Sequence, residues 1–296
     1  MTGDVVESVP RRAGAATIAA VRRLLTGRRM GAAFQPIWNL DNRRVFGVEG
    51  LARPGREYGL AGPQEAFSGA ARLGRVDELD ALCRESVLAR AGDLPDDVLL
   101  FLNVAPEVFD DGGSSGRQIR REVEAAGLAP GRVVIEVSEQ ATGQPDPAPL
   151  QQLRELGFHL ALDEVGAGDA GLGLLGRVRP EFVKVDRGVV SSAREGGSGR
   201  AVLAAIVAYA AETGEIVIAE GIETQDTLHV VGAARTVSKR VRFVGGQGYL
   251  LGRPDDRPWR SVRGMSWPFP GMVLGRPELR AADAAELCWC TSHGGM

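Results

Sequence analysis

The sequence has little cysteine, histidine or lysine and no long apolar run, and each shortage excludes something. Its three cysteines, Cys83, Cys288 and Cys290, form no CxxC pair and have no spacing suited to a zinc site or a disulfide framework. A reduced, intracellular protein is therefore expected. The three histidines, His159, His229 and His293, do not converge. His159 falls in a strand-like segment and His229 in a helix-like one, so both read as structural residues. No segment approaches the roughly 18 apolar residues of a membrane span. The leading MTGDVVESVPRR lacks the apolar centre of a secretory signal. Together these absences predict a cytoplasmic protein with no membrane span. A net charge of −3 provides no global positive field, so no DNA partner is expected.

The lysine shortage is informative in another way. Of 35 basic residues, Lys184 and Lys239 are the lysines and the rest are arginine. A chain that uses arginine wherever a plain positive charge suffices invites the question of why position 184 is lysine.

The 296 residues, 44% of them hydrophobic, are enough for one large α/β domain. Residues 1–28 read as a leader ending in an amphipathic helix, in which Ile18, Val21, Leu24 and Leu25 recur at helical spacing. Strand-like segments follow near 33–38, 45–51, 97–103, 132–137, 158–163, 181–186, 215–220 and 241–244. Helical patterns lie near 64–73, 77–91, 115–127, 148–156, 170–177, 198–213 and 224–234. Many of the strands are β-branched runs without polar alternation, as expected when both faces are buried. Alternation at this count predicts a closed (β/α) barrel over residues 29–262, followed by a tail at 263–296 that links onward or ends the chain.

Barrels of this kind place their chemistry at the C-terminal ends of the strands. Those ends carry Glu49, Asn103, Glu136, Asp163 with Glu164, Lys184 with Asp186, Glu220 with Glu223, and Gln247. Taken singly, each acid reads as a solvated loop carboxylate and Lys184 as a salt-bridge partner. Taken together, so many acids in one mouth repel one another unless a cation neutralises them. Carboxylate and amide oxygens without cysteine or clustered histidine suit Mg²⁺, Mn²⁺ or Ca²⁺ rather than zinc. A lysine among them could orient or help deprotonate a metal-bound water.

The segments FQPIWNL, VEGLARP, FLNVAPEVF, IEVSE, LALDEVGAG, VKVD, IAEGIET and QGYLLGRP resemble, in order, the signature segments of the EAL-domain cyclic di-GMP phosphodiesterases. The resemblance runs from Phe34 to Pro254. It implies a TIM-like (β/α)8 barrel whose first strand is antiparallel to the others. It also implies hydrolysis of cyclic di-GMP to pGpG with Mg²⁺ or Mn²⁺, inhibited by Ca²⁺, in a homodimer under a regulatory domain or protein. Glu49, Asn103, Glu136 and Asp163 match the first metal's ligands. Asp163 and Glu164 fall where a second ion is held, with Glu220 nearby. Lys184 matches the water-activating lysine and Gln247 the glutamine that helps to position the water. Gln35 and Arg53 match substrate-binding residues, Asp186 and Glu223 fall on motif positions on the substrate side, and Glu139 matches the brace of the loop after strand five.

Two departures stand out. The signature E-A-L is here E-G-L, at Glu49–Leu51. The loop after strand five reads D-E-V-G-A-G-D-A-G-L where the family has D-D-F-G-T/A-G-Y-S-S-L, so Val165 and Asp169 replace aromatic residues. Retained Lys184 and carboxylates favour an enzyme. The altered loop favours a weakly active or inactive module that binds cyclic di-GMP or a protein partner. A different metal-dependent barrel hydrolase is a third, more generic reading.

Overall fold

A computed structural model describes residues 14–111, 114–138, 148–167, 171–234, 240–256 and 267–268. Strands β1 (Met30–Asn39), β2 (Arg44–Pro54), β3 (Leu99–Asn103), β4 (Val133–Ser138), β5 (His159–Val165), β6 (Phe182–Val185), β7 (Ile216–Ala219) and β8 (Val244–Gly246) close into a barrel in chain order. β1 is antiparallel to both of its neighbours, β2 and β8, and the remaining pairings are parallel. This is the TIM-like barrel with a reversed first strand that the sequence implied. Helices α1 (Ala15–Gly27), α2 (Pro63–Leu73), α3 (Val76–Leu88), α4 (Ser114–Ala125), α5 (Ala148–Glu155), α6 (Gly171–Val178), α7 (Arg187–Glu195), α8 (Gly197–Thr213) and α9 (Gln225–Ala234) accompany the strands. Among the described residues no helix is long and apolar enough to cross a membrane.

Strand alternation divides the barrel interior into two levels. Ile37, Phe46, Phe101, Val134, Ala161, Phe182, Ile216, Ile218 and Phe243 pack together inside it. The Phe46 ring lies 5.2–6.2 Å from those of Phe101, Phe182 and Phe243. With side chains repeating every second residue, the next interior position on five of the strands is polar. Asn103 follows Phe101, Glu136 follows Val134, Asp163 follows Ala161, Lys184 follows Phe182 and Glu220 follows Ile218. A larger apolar layer joins the outer face of the barrel to the helices. α1 shares a third cluster with α2 and α3, in which Val21, Leu24 and Leu25 meet Tyr58, Ala66, Leu79 and Leu82.

Two elements differ from the sequence reading. β8 lies at 244–246 rather than 241–244, on two glycines that strand propensity disfavours. Packing explains them: a Cβ on Gly246 would stand 2.8 Å from Leu40 and 2.9 Å from Ile222, and one on Gly245 would stand 3.0 Å from Ile218. α7 was not expected at all. Asp186 caps it by accepting from the Gly188 N–H at 2.7 Å, and Val189, Val190 and Ala193 bury its inner face. Gly196, at φ 105°, separates it from α8.

Candidate active site

Lys184 is the centre of the barrel mouth. Its side chain is fully buried, and its Nζ lies 2.8 Å from Glu136, 3.0 Å from Glu220, and 3.4 Å from both Glu49 and Asp163. These residues come from β2, β4, β5, β6 and the end of β7, so barrel closure itself gathers them. Two amides tie the ring together. Asn103 Nδ2 donates to Glu49 Oε1 at 3.1 Å and to Glu136 Oε2 at 3.0 Å. Gln247 Nε2 donates to Glu49 Oε2 at 2.5 Å and to Gln35 Oε1 at 3.2 Å. Gln35 in turn donates to the Gly252 carbonyl at 3.1 Å.

Four carboxylates around one ammonium in a poorly hydrated space would carry an excess of negative charge if all were ionised, and their proton affinities reflect it. Burial works against the charged form of Lys184, but Asp163, Glu136, Glu220 and Glu49 outweigh it and hold its pKa well above the usual lysine value. Burial pushes Glu136 well up despite Lys184, and the neighbouring Glu49 and Asp163 add to the rise. Burial also raises Asp163 and lifts Glu220 to about 8. For Glu49 burial again acts upward, yet Lys184, Gln247 and Asn103 together bring its pKa below the usual range. The mouth is thus short of positive charge by its own chemistry.

Among the described residues no three acidic, histidine or cysteine side chains stand in the spacing of a metal site; the ammonium of Lys184 takes the point on which they converge. The donor set nonetheless fits a hard divalent cation. It is oxygen-only and holds more carboxylates than one ammonium can balance, and Gln247 Oε1 is a buried acceptor with no hydrogen bond.

The other expected site residues lie around this ring. Glu164 borders the ion cluster without pairing with Lys184: its Oε2 accepts from Ser138 Oγ at 2.6 Å, and its backbone N–H donates to Asp163 Oδ1 at 2.9 Å. It has φ 59°, a left-handed conformation uncommon for a residue with a side chain, where the β5–β6 register shifts. Arg53 is exposed at the upper end of β2, on Glu49's face by alternation, and donates to the Ala52 carbonyl at 3.0 Å. The side chain of Asp186 caps α7, and its N–H donates to the Val165 carbonyl at 3.1 Å. Glu223 is exposed between β7 and α9. Glu139 and Asp169 lie outside the described residues. Val165, which replaces an aromatic residue of the family pattern, is a buried strand residue paired with Val185. Sequence reasoning left Ser138 without a role. Its position opposite Asp163 in the β4–β5 register was the available signal, and it required the strand pairing.

A reversed-first-strand (β/α)8 barrel with an acidic, lysine-centred mouth defines the class. The EAL domain family model matches residues 18–254, and the chain belongs to that family. Cyclic di-GMP phosphodiesterase NbdA of Pseudomonas aeruginosa is 31% identical over 79% of this chain and 30% of its own length. The chain spans about a third of the length of the curated relatives it matches. Among solved structures, the manganese and cyclic di-GMP complex of Klebsiella pneumoniae BlrP1 is 31% identical, with a TM-score of 0.67 over 76% of this chain and 56% of that one. The PaMucR phosphodiesterase complex, at 24% identity, shares the fold with a TM-score of 0.68 over 81% of this chain and 97% of its own.

Proposed function

We propose that this protein hydrolyses cyclic di-GMP to pGpG with Mg²⁺ or Mn²⁺, and that Ca²⁺ inhibits it. The observation that carries the reading is the convergence of Glu49, Glu136, Asp163 and Glu220 on Lys184, with Asn103 and Gln247 bridging them. Glu49, Asn103, Glu136 and Asp163 would hold one ion, and Asp163, Glu164 and Glu220 a second. Bound there, divalent ions supply Lewis acidity toward a phosphodiester and lower the pKa of a bound water. Lys184 holds a positive charge at the centre of the acids and orients the attacking water; Gln247 assists. Gln35 and Arg53 would bind substrate, Arg53 suiting a phosphate, and Asp186 and Glu223 would serve the same side. Homodimerisation, a cytoplasmic location and control by a further domain or partner belong to the same proposal.

A second reading, binding without turnover, draws on one observation: the Glu164 carboxylate accepts from Ser138 and makes no ion pair with Lys184 among the described contacts. Incubation with cyclic di-GMP and Mg²⁺ or Mn²⁺, followed by chromatography for pGpG, decides between them. Product formation suppressed by Ca²⁺ supports hydrolysis. Tight binding with no product over hours supports the second reading, and neither binding nor product defeats both.

A further inference from the structure

Outside the mouth, the described residues contain another dense cluster of buried charge. Asp80 and Arg84 lie one turn apart on α3, 2% and 3% exposed, and pair with each other. Arg84 also donates from Nε to Glu122 Oε2 on α4 at 2.9 Å and from Nη2 to Glu122 Oε1 at 3.4 Å. A buried ion pair is weak support for a fold, since apolar residues of similar volume usually serve as well or better. A simple strut between α3 and α4 therefore does not account for it.

The second oxygen of Asp80 points to another purpose. Its Oδ1 accepts the Ala105 N–H at 2.8 Å, while the preceding Val104 N–H donates to the Glu136 carbonyl at 3.1 Å. The backbone leaving β3 is thus pinned on both sides directly after Asn103, whose amide joins Glu49 to Glu136. We infer that Asp80, itself anchored by Arg84 and Glu122, is a positioning residue that fixes the end of β3 and so aims the Asn103 amide into the candidate metal site. Its purpose there rests on the metal-dependent reading above. The geometry at Asn103 can be tested without it.

Metal-free protein carrying Asp80→Ala is compared with wild type by NMR. The Asn103 side-chain amide signals are expected to shift or broaden, and Ala105 amide exchange to rise at least about tenfold as its acceptor disappears. Asp80→Asn, which keeps an oxygen for the Ala105 N–H but loses the charge facing Arg84, should restore most of both. In Mn²⁺ titrations Asp80→Ala should weaken binding by about tenfold, the low end for residues supporting a metal ligand. Arg132→Ala serves as the control, because Arg132 holds carbonyls at Leu94 and Val98 beneath the opposite end of the barrel. It should lower Tm comparably and leave Mn²⁺ affinity unchanged. Unmoved Asn103 signals in Asp80→Ala, or an equal Mn²⁺ loss in Arg132→Ala, overturns the inference. Glu122→Gln gives a milder version of the same measurement if Asp80→Ala does not fold. Failure of wild type to bind Mn²⁺ sinks the metal-dependent reading instead, and the Asn103 and Ala105 signals then decide the positioning role alone.

Discussion

The two levels of the barrel interior are built by the same strands and differ in almost everything else. In the lower level, Phe46, Phe101, Phe182 and Phe243 fill the space with apolar rings. One alternation step higher, four carboxylates and a lysine occupy a buried polar space. Below, the interior gains free energy from apolar burial at roughly 25 cal/mol per Å². Above, like charges are confined in a low-dielectric site, an arrangement that costs stability unless a cation enters. Stability and chemistry are separated along the barrel axis by a single step of the pleat.

The largest expected effect is at the centre of the upper level. Lys184→Met removes the one charge that the four acids face. Without added metal it should reduce unfolding free energy by about 3–5 kcal/mol, as when one partner of a buried pair is deleted. Turnover should fall by about 10²-fold or more, the range for loss of a group acting on a proton or water. Mn²⁺ should recover part of the stability and none of the rate. Denaturant unfolding with and without Mn²⁺, together with the rate assay, checks both; a stable, active Lys184→Met protein would show that the lysine is only a salt bridge.

The lower level should respond in one quantity alone. Phe101→Ala leaves a cavity among the interior rings and should cost about 3–5 kcal/mol of stability. The rate per folded molecule should stay within about threefold at a temperature where the variant remains folded. A large loss of rate at unchanged metal affinity would mean that the two levels are coupled, and the division drawn above would fail.

A gentler probe of the upper level is pH. The Glu220 carboxyl sits at about 8 in the fold against an ordinary 4.5, so the folded state holds its proton more tightly than the unfolded one. The sign follows: this group's contribution is fully present below about 4.5 and is lost as pH rises toward 8. Metal-free protein should therefore lose Tm across that window by more than Glu220→Gln does. Equal slopes in the two proteins would remove Glu220 from the buried cluster.

Much of this was legible in the sequence because strand ends announce themselves. The motif residues Glu49, Asn103, Glu136, Asp163 and Lys184 each follow an apolar run and Gln247 stands two glycines after one, so a barrel reading brings them to one mouth. Four features were not legible. β8 rests on Gly245 and Gly246, whose fitness comes from the closeness of Leu40, Ile218 and Ile222 rather than from propensity. α7 falls in a stretch to which no element was assigned, and its cap signal, Asp186 before an apolar stripe, was passed over. Glu164 sits on Ser138 because a register shift turns it there, and spacing does not reveal a register shift. The Asp80–Ala105 contact joins a helix to a loop across 25 positions, a pairing set by how α3 packs.

The smallest effect tests the outer side of the strand that carries Glu49. The sequence departs from the family's E-A-L at Gly50, and the structure supplies a steric reason. A Cβ there would fall 2.4 Å from Val87 Cγ1 and 3.2 Å from Val87 Cγ2, so α3 lies too close to β2 for even a methyl group. Val87 is a β-branched core residue with little rotamer freedom, and relief requires α3 to move. Gly50→Ala should therefore destabilise by about 1–3 kcal/mol through overpacking. Val87→Ala alone should also destabilise, by leaving a void. Combined, the two changes should cost less than the sum of the singles, because the new methyl occupies the space that the valine vacates; the coupling should be at least about 0.5 kcal/mol. A double-mutant cycle in urea measures it. Additive penalties would show that Gly50 and Val87 are not a compensating pair, and the glycine would then need another explanation on the outer face of β2.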